Sequence, residues 1–128
     1  MADAAAGKRI LVTDDDPEIR TSLALALRSQ GYQVDTACDG NDAIAKCEEH
    51  VPDLVMCDIF MPNKDGLDTM RELRQKHPHV KLIAFSGGGE YKLTTPLLIA
   101  KHMGADRILT KPISMDELVT TVSELLAS

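Results

Sequence analysis

The sequence has no basic cluster: 14 lysines and arginines are scattered among 20 aspartates and glutamates, for a net charge of −6. Such a chain has little with which to grip a phosphate backbone or an anionic bilayer, so direct binding to nucleic acid or membrane is not expected. Long apolar runs are missing too; none approaches the roughly 20 residues that cross a bilayer. Met1 to Lys8 is small and polar, without the apolar core of a signal peptide, and residues 1–7 read as a disordered tail. Cys38, Cys47 and Cys57 are odd in number and lack metal-ligand spacing. They read as reduced, mostly buried thiols of a cytoplasmic protein. Internal repeats and low-complexity segments are also absent.

What is present is ordinary globular material. With 128 residues, 44% of them apolar, the chain is long enough for one domain around one core, expected over residues 8–128 with no linker or second domain. Two periodicities alternate along it. Ile10, Leu11 and Val12 make a short buried strand. Asp16-Pro17 then caps and opens a helix carrying Ile19, Leu23, Ala26 and Leu27, closed by Gly31. Gln33 to Cys38 alternates as an edge strand does. Ala43, Ile44 and Cys47 mark a second helix, which must stop before Pro52. Leu54 to Cys57 reads as a strand buried on both faces. A third helix, with Asp65 as cap and Asp68 in capping-box position, carries Leu67, Met70 and Leu73 and ends before Pro78.

Lys81 to Phe85 is a fourth strand. Beyond Gly87-Gly88-Gly89 a fourth helix is expected near Pro96, with Leu97, Leu98, Ile99 and Met103. Arg107 to Thr110 is a fifth strand, and Ser114 with Glu117 forms a capping box for a last helix. That helix carries Leu118, Val122 and Leu125, with Val119 and Leu126 beside them, a stripe suited to core packing or to a partner or dimer surface. Five strand–helix alternations predict an α/β, doubly wound parallel sheet with five helices. With strand order 2-1-3-4-5 the fold is flavodoxin-like, and its ligand crevice lies between the first and third strands.

Polar residues then collect at one end of the sheet: Asp14, Asp15 and Asp16 after the first strand, Asp58 after the third, Ser86 after the fourth and Lys111 after the fifth. Asp16 is accounted for as a helix cap. Two carboxylates about 5 Å apart repel by roughly 3 kcal/mol at an effective dielectric near 20, so three mutual pairs approach ~10 kcal/mol, comparable to the stability of a domain. Unless these aspartates cap the first helix and are solvated separately, Asp14, Asp15 and Asp58 therefore call for a cation or a shared proton, and Mg²⁺ suits a site of few carboxylates and retained waters. A magnesium pocket with an ammonium and a hydroxyl can neutralise phosphoryl oxygens, while a carboxylate beside it acts as nucleophile. No water-positioning base is evident, and His50, His77, His79 and His102 read as solvated or capping residues. Accepting and holding phosphate is the chemistry that fits.

The set Val12-Thr13-Asp14-Asp15-Asp16, Asp58 within Asp-Ile-Phe-Met-Pro-Asn-Lys-Asp-Gly, Ser86 and Lys111-Pro112 resembles the receiver domain of two-component response regulators, of the stand-alone, chemotaxis-regulator-like type. The resemblance runs from about Lys8 to Ala127. It implies that Asp58 takes a phosphoryl group from a phosphohistidine on a histidine kinase or a histidine phosphotransfer protein. Magnesium would be held by Asp15, Asp58 and the backbone carbonyl of Phe60, with Asp14 acting through water. Lys111 would bind one phosphoryl oxygen, Ser86 would move to hydrogen-bond another, and Lys111-Pro112 would be cis. Such a domain is no conventional enzyme, although it assists its own phosphorylation and slow dephosphorylation. Output would pass through the fourth helix, fifth strand and last helix to a downstream protein, to a homodimer or onward in a phosphorelay.

Three departures stand out. Ile108 replaces the aromatic ring usual three residues before the lysine. The Ser86–Lys111 interval is a few residues longer than in short receivers, and its three glycines suggest a mobile loop. Phe60 and Gly88 offer no group to position water, which predicts slow self-hydrolysis. Two alternatives remain at this level: an aspartate-nucleophile phosphohydrolase built on Asp14 and Asp16, or a degenerate receiver that binds partners without phosphate.

Overall fold

The structure, a computed structural model, describes residues 7–59, 66–87 and 104–127, with the backbone alone for Ser86 and Gly87. Its strands are β1 (Arg9–Thr13), β2 (Gln33–Ala37), β3 (Leu54–Asp58), β4 (Lys81–Gly87) and β5 (Arg107–Lys111). All pair in parallel, in the expected order β2-β1-β3-β4-β5. Four helices are described rather than five: α1 (Pro17–Ser29), α2 (Gly40–Glu49), α3 (Gly66–Lys76) and α4 (Met115–Ala127). The helix expected near Pro96, with Met103, lies outside the described residues, as do residues 1–6 of the expected tail. No helix among the described residues is long and apolar enough to cross a membrane.

The pleat divides each central strand between two cores. Leu54 and Met56 of β3 join Ile10, Val12, Ile83 and Phe85 under α1 and α4, whereas Val55 and Cys57 join Leu11, Leu82 and Ala84 under α2 and α3. Every residue of β3 is buried, which explains why its sequence is an unbroken apolar run up to Asp58 and not an alternation. The edge strand β2 does alternate, with Gln33 and Asp35 exposed and Val34 buried. Leu118, Val122 and Leu125 of α4 lie in the core with Leu126 packed against it, so core packing accounts for most of that stripe.

The helix ends follow the capping chemistry. Asp16 Oδ1 accepts from the Glu18 N–H at 2.9 Å, Pro17 is the first residue of α1, and Gly31 after it takes φ 99°. Ser114 Oγ accepts from the Glu117 N–H at 3.3 Å. Asp39 caps α2 through the Asp42 N–H at 2.8 Å, a cap with no counterpart in the predicted elements. Strands β4 and β5 outrun their apolar residues because the ladder continues through Ser86↔Thr110 and Gly87↔Lys111. At the opposite edge Arg74 donates to the carbonyls of Pro78, Val80 and Gly104 and pairs with Asp106 at 3.0 Å, tying α3 to the entries of β4 and β5. The C-terminal edge is left for the polar residues.

Candidate functional site

Parallel pairing brings the distant acids together. Thr13 pairs with Cys57, so the residues that follow them, Asp14 and Asp58, emerge side by side at the crevice between β1 and β3. One carboxylate oxygen from each of Asp14, Asp15 and Asp58 lies within 4.8 Å of the others. Asp14 is fully buried and Asp58 is 6% exposed, whereas Asp15 is exposed. Lys111, the last residue of β5, donates from Nζ to Asp58 Oδ2 at 2.7 Å and to Asp14 Oδ2 at 3.0 Å. Burial alone would lower the pKa of this ammonium; its hydrogen bonds to Asp58 and Asp14, with their charges, outweigh that and raise it.

Three carboxylates and one ammonium leave two negative charges, which one divalent cation balances. The donors are oxygens only, suiting a hard ion such as Mg²⁺ over zinc or copper. The residues present therefore fit the magnesium that the sequence implies. The capping alternative is realised only in part. Asp16 is the cap of α1, but Asp14 accepts the Asp16 N–H on Oδ1 at 2.9 Å while its Oδ2 stays in the cluster.

The backbone around Asp58 is tightly built. The Ile59 N–H donates to the Phe85 carbonyl at 3.0 Å, and the Gly66 N–H donates to the Ile59 carbonyl at 2.8 Å. A Cβ at Gly66 would stand 2.0 Å from the Asp58 carbonyl oxygen and 2.7 Å from Ile59 Cα, so the start of α3 rests against the candidate phosphoacceptor with room for no side chain. A glycine opening a helix, where a good helix former would serve, is the signal in the sequence for this contact. Arg20, one turn into α1, donates from Nη1 to the Asp14 carbonyl at 2.7 Å, and no motif in the sequence marks it.

Other expected site residues fare differently. The Phe60 carbonyl, the Asp65 cap, Gly88 and most of the glycine-containing loop lie outside the described residues. Of Ser86 only the backbone is described, one residue past the Asp58↔Phe85 rung. Lys111-Pro112 is cis. Ile108 is half-buried and packs against the α2–α3 core, so this position is filled by an aliphatic side chain held between solvent and sheet. His50 closes α2, His79 is exposed, His77 follows α3, and none joins the acidic cluster; His102 lies outside the described residues. Cys38 is exposed, Cys47 and Cys57 are buried, and none of the three forms a disulfide.

Residues 10–123 match the family model described as the response regulator receiver domain. The chain is 39% identical over 124 residues to the transcriptional regulatory protein PdtaR of Mycobacterium tuberculosis, covering 94% of this chain and 58% of that protein. It is 33% identical over 117 residues to the probable transcriptional regulatory protein TcrX of the same species, covering 91% of this chain and 49% of that one. It thus spans about half the length of the curated relatives it matches. Among solved structures, a CheY-like response regulator receiver domain protein from Methanospirillum hungatei JF-1 superposes with a TM-score of 0.88 at 29% identity, covering 94% of each chain. Fold, site geometry and kinship agree: the chain belongs to the response regulator receiver domain family.

Proposed function

We propose that Asp58 accepts a phosphoryl group from a phosphohistidine on a histidine kinase or histidine phosphotransfer protein, in a magnesium-dependent reaction of the receiver domain 8–128. The observation that carries this reading is the Lys111 ammonium seated on both Asp14 and Asp58 within the three-carboxylate cluster. A carboxylate oxygen of Asp58 attacks phosphorus; an O–P bond forms, the donor's N–P bond breaks, and the imidazole leaves with the electron pair. Lys111 turns from Asp58 Oδ2 to a phosphoryl oxygen, where its charge opposes the negative charge gathering in the transition state. Magnesium, when bound, neutralises the phosphoryl oxygens; Asp15, Asp58 and the Phe60 carbonyl would hold it directly and Asp14 through water. Ser86 would hydrogen-bond a phosphoryl oxygen.

Asp14, the nucleophile that a phosphohydrolase would need, is fully buried with both carboxylate oxygens engaged by Asp16 and Lys111, and the comparisons favour neither alternative. A groove of about 500 Å³ between α1 and the turn after β5, lined by Ile19, Leu23, Pro112, Ile113 and Met115, adjoins Lys111 and offers a seat for the donor. Output through the segment near Pro96 to Met103, β5 and α4, to a downstream protein or a homodimer, belongs to the same reading.

Incubation with acetyl phosphate and magnesium tests it. The native chain should take up one phosphoryl group and Asp58→Asn none. Absence of labelling would leave a phosphate-independent binding module, and steady turnover of p-nitrophenyl phosphate would favour the hydrolase.

A further inference from the structure

The geometry points to Arg20 as a positioning residue for the magnesium site, acting through the peptide that joins Asp14 to Asp15. The inference rests on reading the carboxylate cluster as that site. Asp14 donates its N–H to the Ala37 carbonyl at 3.2 Å, and the paired residues of β1 and β2 end just before it, at Thr13↔Ala37. Beyond that rung β2 stops and the chain turns toward α2, so the buried Asp14 carbonyl lies past the ladder. A buried carbonyl needs a donor. Arg20 supplies one from the first turn of α1, with Nη1 at 2.7 Å. Its position, three, four and seven residues before the buried Leu23, Ala24 and Leu27, sets it on the face of α1 that meets the sheet.

The peptide plane carries the consequence. Asp14 Cα, C and O and Asp15 N and Cα lie in one plane, so a donor fixed on that oxygen fixes where Asp15 leaves the backbone. Asp15 is exposed, and packing does little to hold it. Asp14 itself is held at four points: its N–H by the Ala37 carbonyl, its own carbonyl by Arg20, Oδ1 by the Asp16 N–H and Oδ2 by Lys111. In the proposed reaction Lys111 departs for a phosphoryl oxygen. Arg20 and the Asp16 N–H then keep the pair of acids in place, and the planar, permanently charged guanidinium suits a bond that must outlast that change.

Calorimetric titration of the metal-free full chain with MgCl₂, well below its melting temperature, tests the inference, with circular-dichroism melts in EDTA reporting the fold. Arg20→Ala should weaken the magnesium Kd by on the order of ten-fold, the usual effect of losing a group that orients a ligand. Arg20→Lys, which keeps a charged donor, should recover most of that loss. Leu125→Ala, a core truncation in α4, should lower the melting temperature while leaving the magnesium Kd at its native value. Should Arg20→Ala fail to fold, Arg20→Gln takes its place and should still weaken binding several-fold. Native affinity in Arg20→Ala, or in Arg20→Gln where that variant stands in for it, or an equal loss in Leu125→Ala, would overturn the assignment. A native chain that binds no magnesium would overturn it together with the reading beneath it.

Discussion

Lys111→Ala separates the two cations that the acidic site can use. The substitution leaves the Asp14 and Asp58 side chains, 0% and 9% exposed, facing one another and Asp15 without an ammonium. Removing one partner of a buried ion pair costs about 3–5 kcal/mol. Lys111 is 20% exposed and Asp15 opens to water, which places the expected loss at the lower end, near ~3 kcal/mol. For a domain of this size each kcal/mol shifts the melting temperature by about 4 °C, so the variant should melt roughly 10 °C lower in EDTA. Magnesium should reverse the order of response. In the native chain it would compete with the ammonium for Asp58 and Asp14, while in the variant it would meet no competitor and relieve a larger repulsion. At a hundred times Kd a ligand adds about 2.7 kcal/mol, so the native protein should gain roughly 10 °C and the variant more. The assay is a pair of melts at pH 8, in EDTA and in saturating MgCl₂. The raised pKa of Lys111 keeps its charge there; the bridge fails only when pH climbs through that alkaline value. Equal melting temperatures in EDTA, or a magnesium shift no larger than native, would refute the reasoning.

Gly66→Ala should destabilise the fold by about 1–3 kcal/mol or more and slow phosphorylation, because the added methyl meets the Asp58 backbone; urea melts and acetyl phosphate labelling read both. Ellman's reagent should find one accessible thiol per native chain, Cys38, and three after denaturation. Burial, with the Glu48 charge adding to it, pushes the Cys47 thiol from 9.0 to about 11. The unfolded chain therefore loses that proton first, and stability should fall between pH 9 and 11 in the native protein more steeply than in Cys47→Ala, as denaturant midpoints across that range would show. Once phosphorylated, the protein in magnesium should keep its phosphate well beyond seconds, and loss within seconds would count against the absence of a water-positioning group.

The strands were legible because both faces of a parallel sheet are buried: Leu54 to Cys57 and Ile10 to Val12 announce themselves by apolarity alone. Their C-terminal limits were less so. Ser86 and Lys111 are polar, and only the rungs between β4 and β5 draw them into strands. The acidic site was legible through topology, since an acid after the first strand and another after the third must meet once strand order 2-1-3-4-5 holds. Arg20 left no mark in the sequence, and Gly66 only that of a poor helix former at a helix start, for opposite reasons. Arg20 acts on a backbone oxygen that has no identity in sequence, and Gly66 matters for the volume it leaves empty. Asp39 escaped because its cap depends on where β2 turns into α2.

The proposed convergence of these distant residues on one cation is tested directly by two-dimensional NMR of the ¹⁵N-labelled, metal-free chain during magnesium titration. The amides of Asp14, Asp15, Asp16, Asp58, Ile59 and Lys111 should move together along a single-site curve, and in Asp58→Asn the same titration should leave them nearly still. Shifts that scatter over the surface acids, or that persist unchanged in Asp58→Asn, would contradict the account.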